Sequence, residues 1–226
     1  MNIIITAGGT REYIDDVRVL TNISTGKLSA IIGNELKYLP FETGEDLHID
    51  YICYKDSHKM SKFLETGVEC DVKFHEIESV SELMDIMEKL VPNTDIVIHA
   101  MAVSDFTFKR YESVKLKSND PEAFIEYMRK TITTNPKVLS YIKKWNPDCT
   151  LVSFKFEVGL EHEELIRIAR DSGEKNGSDI VIANDNVEMI NANCHIAYIL
   201  TKDKEIKATS KEDIAKKLKN ILLNEK

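Results

Sequence analysis

Apolar positions recur at two different periods along this chain, and the switches between them predict an order of strands and helices. Residues 2–6, "NIIIT", form a short apolar run with the length of a buried strand. Residues 25–38 then space Leu28, Ile31, Ile32 and Leu36 at helical intervals, with Leu39 continuing the stripe, so strand, loop and helix make the first unit. "HIDYICYK" reads as a strand and "VECDVKFHEI" as an alternating one. "SVSELMDIMEKLV" reads as a helix capped by Ser79 or Ser81, with acids in its first turn. After Asn93, "DIVIHAMAV" is apolar nearly throughout, as a strand covered on both faces of a parallel sheet must be.

Residues 104–119 interrupt this rhythm: they are polar, basic and aromatic without a clear period, the character of a functional loop. Beyond them "KTITT" has strand character, Pro136 stands where a helix can begin, and "CTLVSFKFEVG" returns to a strand. A helix over about residues 161–170 and a strand "DIVIAN" follow. A hairpin of "HIAYILT" and "EIKATS" turning at Lys202 and Asp203, and a helix over residues 211–223, complete the order. There is no internal repeat or low-complexity segment. The expectation is a single domain over residues 1–226, α/β in class, with a Rossmann-like, mostly parallel sheet flanked by helices and a C-terminal hairpin.

Composition narrows the class. The 226 residues, 42% hydrophobic and 30% charged, suffice for one substantial core and fall short of two comfortable domains. No run approaches the ~18–20 apolar residues of a membrane span. "MNIIITAGG" lacks the positive flank of a signal peptide, so a cytoplasmic protein without membrane contact is expected. Cys53, Cys70, Cys149 and Cys194 are scattered with no C-x-x-C pair, which argues against zinc or a disulfide framework and for reduced, mostly buried thiols. A net charge of -8 argues against nonspecific nucleic-acid binding. A local patch can still draw in a phosphorylated small molecule, and "FKRYESVKLK" sets Lys109, Arg110, Lys115 and Lys117 against the single acid Glu112.

The candidate chemistry lies near the amino end, in "ITAGGT" and "LTNISTGK". Backbone N–H groups at a glycine turn and at a helix N-terminus bind anions without a formal charge. "AGGT" is not the dinucleotide fingerprint, because Gly8 and Gly9 are followed by Thr10, Arg11 and Glu12. "STGK" is not a P-loop: its first glycine would have to be Thr21, and an apolar residue follows Lys27. Two readings stay open. Either Ser24 or Thr25 simply caps the helix, or Ser24, Thr25, Gly26 and Lys27 form an anion site for a substrate phosphate.

Six segments taken together, "ITAGGTREYIDDVRVLTNISTGK", "AMAVSDF", "VKLK", "TNPKVL", "VSFKFE" and "DIVIAND", resemble phosphopantothenoylcysteine synthetase, in that family's order and across most of the chain. Because the chain begins directly at the first of these blocks, it is similar to the stand-alone bacterial form of the enzyme. The resemblance implies a ligase of coenzyme A biosynthesis joining 4'-phosphopantothenate to L-cysteine. It further implies activation of the substrate carboxylate by CTP through an acyl nucleotidylate, with Mg²⁺ as the accompanying cation and a homodimer as the assembly. Crowding a carboxylate against a triphosphate calls for fixed dipoles and cations more than for a general base.

Residue by residue, the resemblance implies that Asn22 acts in the acyl-nucleotidylate step, where a neutral amide can donate to a developing oxyanion; a loop Asn bonding its own backbone is the plainer reading. Lys115 matches the first lysine of the family's K-x-K-K motif, which here ends in Ser118, so Lys117 shares the work; a solvated basic loop would account for both. Gly8, Gly9 and Asp105 match nucleotide-contacting positions, with Asp105 suited to ribose hydroxyls. His99, Ala100 and Met101 would contribute backbone groups at the strand end, although a core histidine is the simpler account of His99. Pro136, Lys137, Val138, Leu139 and Phe154 also match nucleotide contacts, while a phenylalanine in a strand also suits a core. Of the family's later lysines, Lys175 is near, but the register puts Ser172 and Asn176 there. Two other classes remain open. A nicotinamide-dependent oxidoreductase fits the α/β order but lacks the fingerprint and a helical Tyr-x-x-x-Lys pair; a noncatalytic nucleotide-binding module fits the lysine departures.

Overall fold

Ile3, Ile4 and Ile5 are each 1% exposed or less, so consecutive side chains on both faces of the first strand are covered. A strand buried on both faces belongs in the interior of a sheet. The computed structural model describes residues 1–109, 115–117 and 119–224. Its elements begin with β1 (Asn2–Ala7), a small hairpin of β2 (Arg11–Tyr13) and β3 (Val19–Thr21), α1 (Lys27–Leu36), α2 (Leu39–Thr43), β4 (His48–Cys53) and β5 (Asp71–Glu76). There follow α3 (Val80–Leu90), β6 (Ile96–His99), β7 (Phe106–Phe108), α4 (Pro121–Thr131), β8 (Ile132–Thr134) and α5 (Leu139–Trp145). β9 (Thr150–Glu157), α6 (His162–Asn176), β10 (Ile180–Asp185), α7 (Asn186–Ala192), β11 (Ala197–Leu200), β12 (Glu205–Ala208) and α8 (Lys211–Asn224) complete the chain.

One eight-stranded sheet runs in the order β12-β11-β10-β9-β6-β1-β4-β5. The pairings from β5 to β10 are parallel, and β11 and β12 add an antiparallel hairpin at one edge. Ile3, Ile5, Val152, Ile180 and Ile182 pack on one face with Ile32 and Leu36 of α1 and Leu218 of α8. Ile4, Val97 and Leu151 pack on the other with Leu83 and Met87 of α3 and Ile142 of α5. Val181 and Ala183 extend that second face against Leu165 and Ala169 of α6. The expected Rossmann-like α/β class is therefore the observed one.

Local chemistry explains where elements stop. Ser79, rather than Ser81, caps α3, and a reciprocal capping box with Glu82 satisfies two of its orphan N–H groups. The helix expected over residues 25–38 is α1, over Lys27–Leu36; the stripe does not continue it through Leu39, which opens a separate short helix, because Pro40 cannot donate to the carbonyl one turn back. "DIVIHAMAV" leaves the sheet after His99, and Pro136 lies three residues before α5 starts at Leu139. α6 runs on past residue 170 to Asn176, where Gly177 in the left-handed conformation terminates it. The thiols of Cys53 and Cys149 are buried as expected, whereas Cys70 is half-buried and Cys194 exposed; no disulfide joins them.

The β2–β3 hairpin, α4 and α7 answer to no apolar period long enough to announce them. The hairpin is held by polar contacts instead: the buried Glu12 accepts the Val80 N–H at 2.9 Å and the Thr107 hydroxyl at 2.5 Å. This one carboxylate ties the hairpin both to the N-terminus of α3, where a negative charge is favoured, and to β7. Replacing Glu12 with alanine strands the buried Val80 N–H and the half-buried Thr107 hydroxyl and should lower the unfolding free energy by about 1–3 kcal/mol. The check is the urea midpoint, which should fall at an unchanged slope; an unshifted midpoint would remove Glu12 from this role.

Candidate active site

Parallel strands leave their carboxyl ends free to hold ligands, and the chain crossing that edge is where the unusual backbone lies. After β1, Gly8 has φ 82°, and a Cβ there would fall 1.9 Å from Ser57 Oγ. Gly26, at φ 74°, opens α1 so close to this turn that its Cβ would lie 3.1 Å from Gly8 N. Both positions demand glycine sterically and conformationally. Gly9 bridges Ala102, whose N–H donates to the Gly8 carbonyl at 2.8 Å, and the Thr10 N–H donates back to Ala102 at 3.2 Å. The segment after β6 is thus stitched to the glycine turn.

Two asparagines fix the next stretch of that segment. Asn22 Nδ2 donates to the Val103 carbonyl at 3.1 Å. Asn135 donates its backbone N–H to the Asp105 carbonyl at 2.9 Å and its amide to the Ser104 carbonyl at 3.0 Å. Between these clamps and the end of β9 lies a cavity of about 200 Å³, lined by His99, Met101, Val103, Ser104 and Asp105 from one segment. Asn135, Pro136, Lys137, Val138 and Leu139 of a second and Phe154 of β9 complete its wall. A groove of about 220 Å³ lined by Pro40, Leu47 and Cys70 lies by the amino ends of β4 and β5 and contains none of the candidate residues.

His99 occupies the last paired position of β6, beside Thr6 of β1 and Ser153 of β9. One step inward on the same face, Ile4, Val97 and Leu151 line up in register, so a polar row closes the apolar core at the cavity floor. His99 Nδ1 lies 3.1 Å from Thr6 Oγ1, which also accepts the Met101 N–H at 3.1 Å. Burial disfavours the charged ring and pushes its pKa down to about 4, so the imidazole is neutral at physiological pH.

Most residues expected to meet a nucleotide therefore converge: His99, Met101, Asp105, Pro136, Lys137, Val138, Leu139 and Phe154 share one cavity wall. Ala100 joins His99 to Met101, and Gly8, Gly9 and Asn22 adjoin through the contacts above. Asp105 and Lys137 are exposed, and Phe154 also packs against the core. Ser24 and Thr25 do not cap α1: Gly26 is the N-cap with no side-chain hydrogen bond, and Thr25 Oγ1 meets only the Lys27 N–H at 3.4 Å. The Thr25 carbonyl instead accepts the His58 N–H at 2.9 Å. Among the described residues, the first-turn amides of α1 beyond that of Lys27 meet no side-chain acceptor, and they lie beside the glycine turn.

The expected lysines divide. Lys115 and Lys117 are exposed and do not line the cavity. Leu116 between them is held on the β2–β3 hairpin, its N–H donating to Asp15 at 3.1 Å and its carbonyl accepting from Arg18 at 3.3 Å. Asp15 also accepts from the Val17 and Arg18 N–H groups and the Arg18 guanidinium. Burial opposes its ionisation, but these donors outweigh it and keep the carboxyl below its ordinary range. Arg110, Glu112, Val114 and Ser118 lie outside the described residues. Lys175 is not brought to the cavity: it sits in the last turn of α6, which runs against the parallel strands and ends beside the start of β10, at the opposite edge of the sheet. Sequence reasoning passed over Asn135, whose position before Pro136 in a turn was its only signal, and Thr6, Val103 and Ser104, which give none.

Fold and cavity together define a Rossmann-like α/β domain with a cavity at the carboxyl edge of the parallel strands. The sequence matches the DNA/pantothenate metabolism flavoprotein C-terminal domain family over residues 1–225, and the chain belongs to that family. It is 36% identical over 184 residues to the coenzyme A biosynthesis bifunctional protein CoaBC of Thermococcus kodakarensis, covering 80% of this chain and 40% of that protein. Against CoaBC of Methanocaldococcus jannaschii the identity is 29% over 222 residues, covering 96% of this chain and 49% of the relative. The chain thus spans less than half the length of these relatives. Among solved structures, the DNA/pantothenate metabolism flavoprotein from Streptococcus pneumoniae superposes with a TM-score of 0.81 at 29% identity, covering 100% of both chains. A Cab2 mutant in complex with phosphopantothenate-cysteine shares the fold, with a TM-score of 0.70 at 14% identity over 99% of this chain and 88% of that one. Among the described residues, no helix is long and apolar enough to cross a membrane.

The neutral His99 makes a pH prediction. Its ring takes up a proton near pH 6.5 when the chain is unfolded and only near pH 4 when folded, so between these values acid favours the unfolded state. Relative to His99→Gln, the protein should lose stability as pH falls from 6.5, by on the order of 3 kcal/mol at pH 4, with no difference in slope above pH 7. Urea midpoints across this range check it; parallel curves would mean that the ring is not held neutral.

Proposed function

We propose that this chain is the phosphopantothenate–cysteine ligase of coenzyme A biosynthesis, using CTP, and that the His99–Phe154 cavity holds the nucleotide. The observation that carries this reading is convergence: three separate segments of the chain, each matched to the family by its own motif, form one wall at the carboxyl edge of the sheet. The relatives' names point the same way for the domain they share with this chain.

In the first step the carboxylate oxygen of 4'-phosphopantothenate bonds to the α-phosphorus of CTP, the bond from that phosphorus to the bridging oxygen breaks, and pyrophosphate leaves. In the second, the cysteine amine bonds to the acyl carbon of the mixed anhydride, the bond to the CMP oxygen breaks, and the nitrogen releases its proton to solvent. Both steps concentrate negative charge on oxygens, which fixed donors stabilise without reorganising. Asn22 spends one amide hydrogen on the Val103 carbonyl and keeps its second for a ligand oxygen. The uncapped start of α1, with Lys27, offers amides and a cation to a phosphate. Asp105, exposed at the cavity wall, suits ribose hydroxyls, and Lys115 and Lys117 would approach the triphosphate from the hairpin. Among the described residues no three metal-ligating side chains converge, so Mg²⁺ fits this site as an ion carried on the phosphates rather than in a protein cage. The working assembly in this reading is a homodimer, as the resemblance implies.

Purified protein should release pyrophosphate only when 4'-phosphopantothenate and CTP are both present with Mg²⁺, and far less when ATP replaces CTP. Binding of CTP without pyrophosphate would favour a noncatalytic module, and hydride transfer to a nicotinamide would favour an oxidoreductase. Asn22→Asp adds a charge where an anion must develop and should cut turnover at least 10-fold, by analogy with the loss of a single oxyanion donor. Wild-type rates in that variant would remove Asn22 from the mechanism. Lys115→Gln should lower turnover while leaving the melting temperature within a degree or two of wild type, since its exposed ammonium bonds to no side chain among the described residues.

A further inference from the structure

His99 stands where a base could act, yet its hydrogen bonds assign it another part. Thr6 Oγ1 accepts the Met101 N–H and, being buried, must place its single hydrogen on an acceptor. Among the described residues, the only acceptor that hydroxyl meets at hydrogen-bonding distance is His99 Nδ1, at 3.1 Å. With Nδ1 accepting, the proton of the neutral ring must sit on Nε2. His99 is among the residues lining the cavity, its Nδ1 is taken by Thr6, and Nε2 is neither bonded to a described residue nor sealed as a buried atom without a partner, so it is the ring nitrogen left for a ligand. Thr6 is itself locked in place: it pairs with His99 in the sheet, and its carbonyl accepts the buried Ser29 hydroxyl at 3.1 Å.

We infer that His99 is a ligand-binding residue whose Nε2–H donates a hydrogen bond to an acceptor atom of the nucleotide in the His99–Phe154 cavity, and that Thr6 is the positioning residue which fixes this tautomer. The inference rests on the nucleotide reading of the cavity for its ligand, but not for its tautomer. A ring held this way takes no proton from substrate, because its one free nitrogen already carries hydrogen and its other is engaged. It also discriminates: a heterocycle that offers a carbonyl oxygen or an unprotonated ring nitrogen is matched, whereas one that offers only an N–H leaves two donors opposed in a buried site, a costly arrangement. The site therefore selects for acceptor chemistry at its floor, independently of whatever the backbone of Ala100 and Met101 contributes.

The test joins a spectroscopic measurement to a binding one. Nitrogen-15 NMR of the labelled wild-type chain should show His99 with a pyrrole-type Nε2 and a pyridine-type Nδ1, unchanged from pH 8 to pH 5.5. Thr6→Val, which keeps shape and removes the hydroxyl, should lose this single-tautomer signature. Calorimetric titration with CTP and Mg²⁺ should show affinity reduced about 10-fold or more in His99→Leu, which lacks any donor. His99→Gln, whose terminal amide restores one near the Nε2 position, should bind within a few-fold of wild type. Far-UV circular dichroism and melting temperature establish that both variants are folded, and the NMR reading needs neither. A hydrogen on Nδ1, or CTP affinity in His99→Leu equal to wild type, would overturn the inference. If the wild-type chain shows the Nε2–H ring but binds no CTP, the nucleotide reading falls and takes the assigned ligand with it, while the tautomer stands.

Discussion

The closeness of the Gly8 backbone to Ser57 and Gly26 is the constraint on which the rest of the site depends. With no Cβ at Gly8 or Gly26, the end of β1, the start of α1 and the loop after β4 approach to a distance that side chains would forbid. That approach brings the amides of the first turn of α1 beside the carboxyl edge of the sheet and leaves the turn after β1 free to bridge Ala102. The segment after β6, which carries Met101, Val103 and Asp105, inherits its path from those two backbone hydrogen bonds. A bulkier turn would move the segment and open the cavity wall.

Polar groups, not apolar area, finish the job. Glu12, Asp15, Asn22 and Asn135 each hold a neighbouring segment by hydrogen bonds to backbone or hydroxyl groups. The carboxylates of Glu12 and Asp15 are tolerated in the interior because donors meet them there. The consequence is a division of labour: the sheet and its helices supply rigidity through close packing, while a network of short-range polar contacts sets the position of loops that no core could grip. The polar row of Thr6, His99 and Ser153 is the seam between the two, with Ile4, Val97 and Leu151 directly beneath it.

Periodicity made the main sheet and its covering helices readable because their side chains face a core on one or both sides. β4, β6 and β9 lie within the stretches that their apolar runs marked out, and β1 and β10 overrun theirs by one residue, to Ala7 and Asp185. It was silent on the β2–β3 hairpin, where Glu12 is buried for its hydrogen bonds and the burial alternates with no apolar pattern. It was silent on α7 as well, in which no residue is buried. Lys175 shows the other limit: helix α6 was anticipated as ending near residue 170, and its extension to Asn176 carries that lysine to the far edge of the sheet.

The sequence by itself determined the α/β class, the order of the main strands, the glycines that only a tight turn requires, and the motifs that mark the family. Those properties follow from local periods and residue types, which a chain displays without being folded. Only the tertiary structure decided that "AMAVSDF", "TNPKVL" and Phe154 share a wall, that Ser24 and Thr25 leave α1 uncapped, and that Thr6 orients the ring of His99. These depend on strand order and on contacts between residues about 90 positions apart in the case of Thr6 and His99, a separation across which no pattern along the chain can speak.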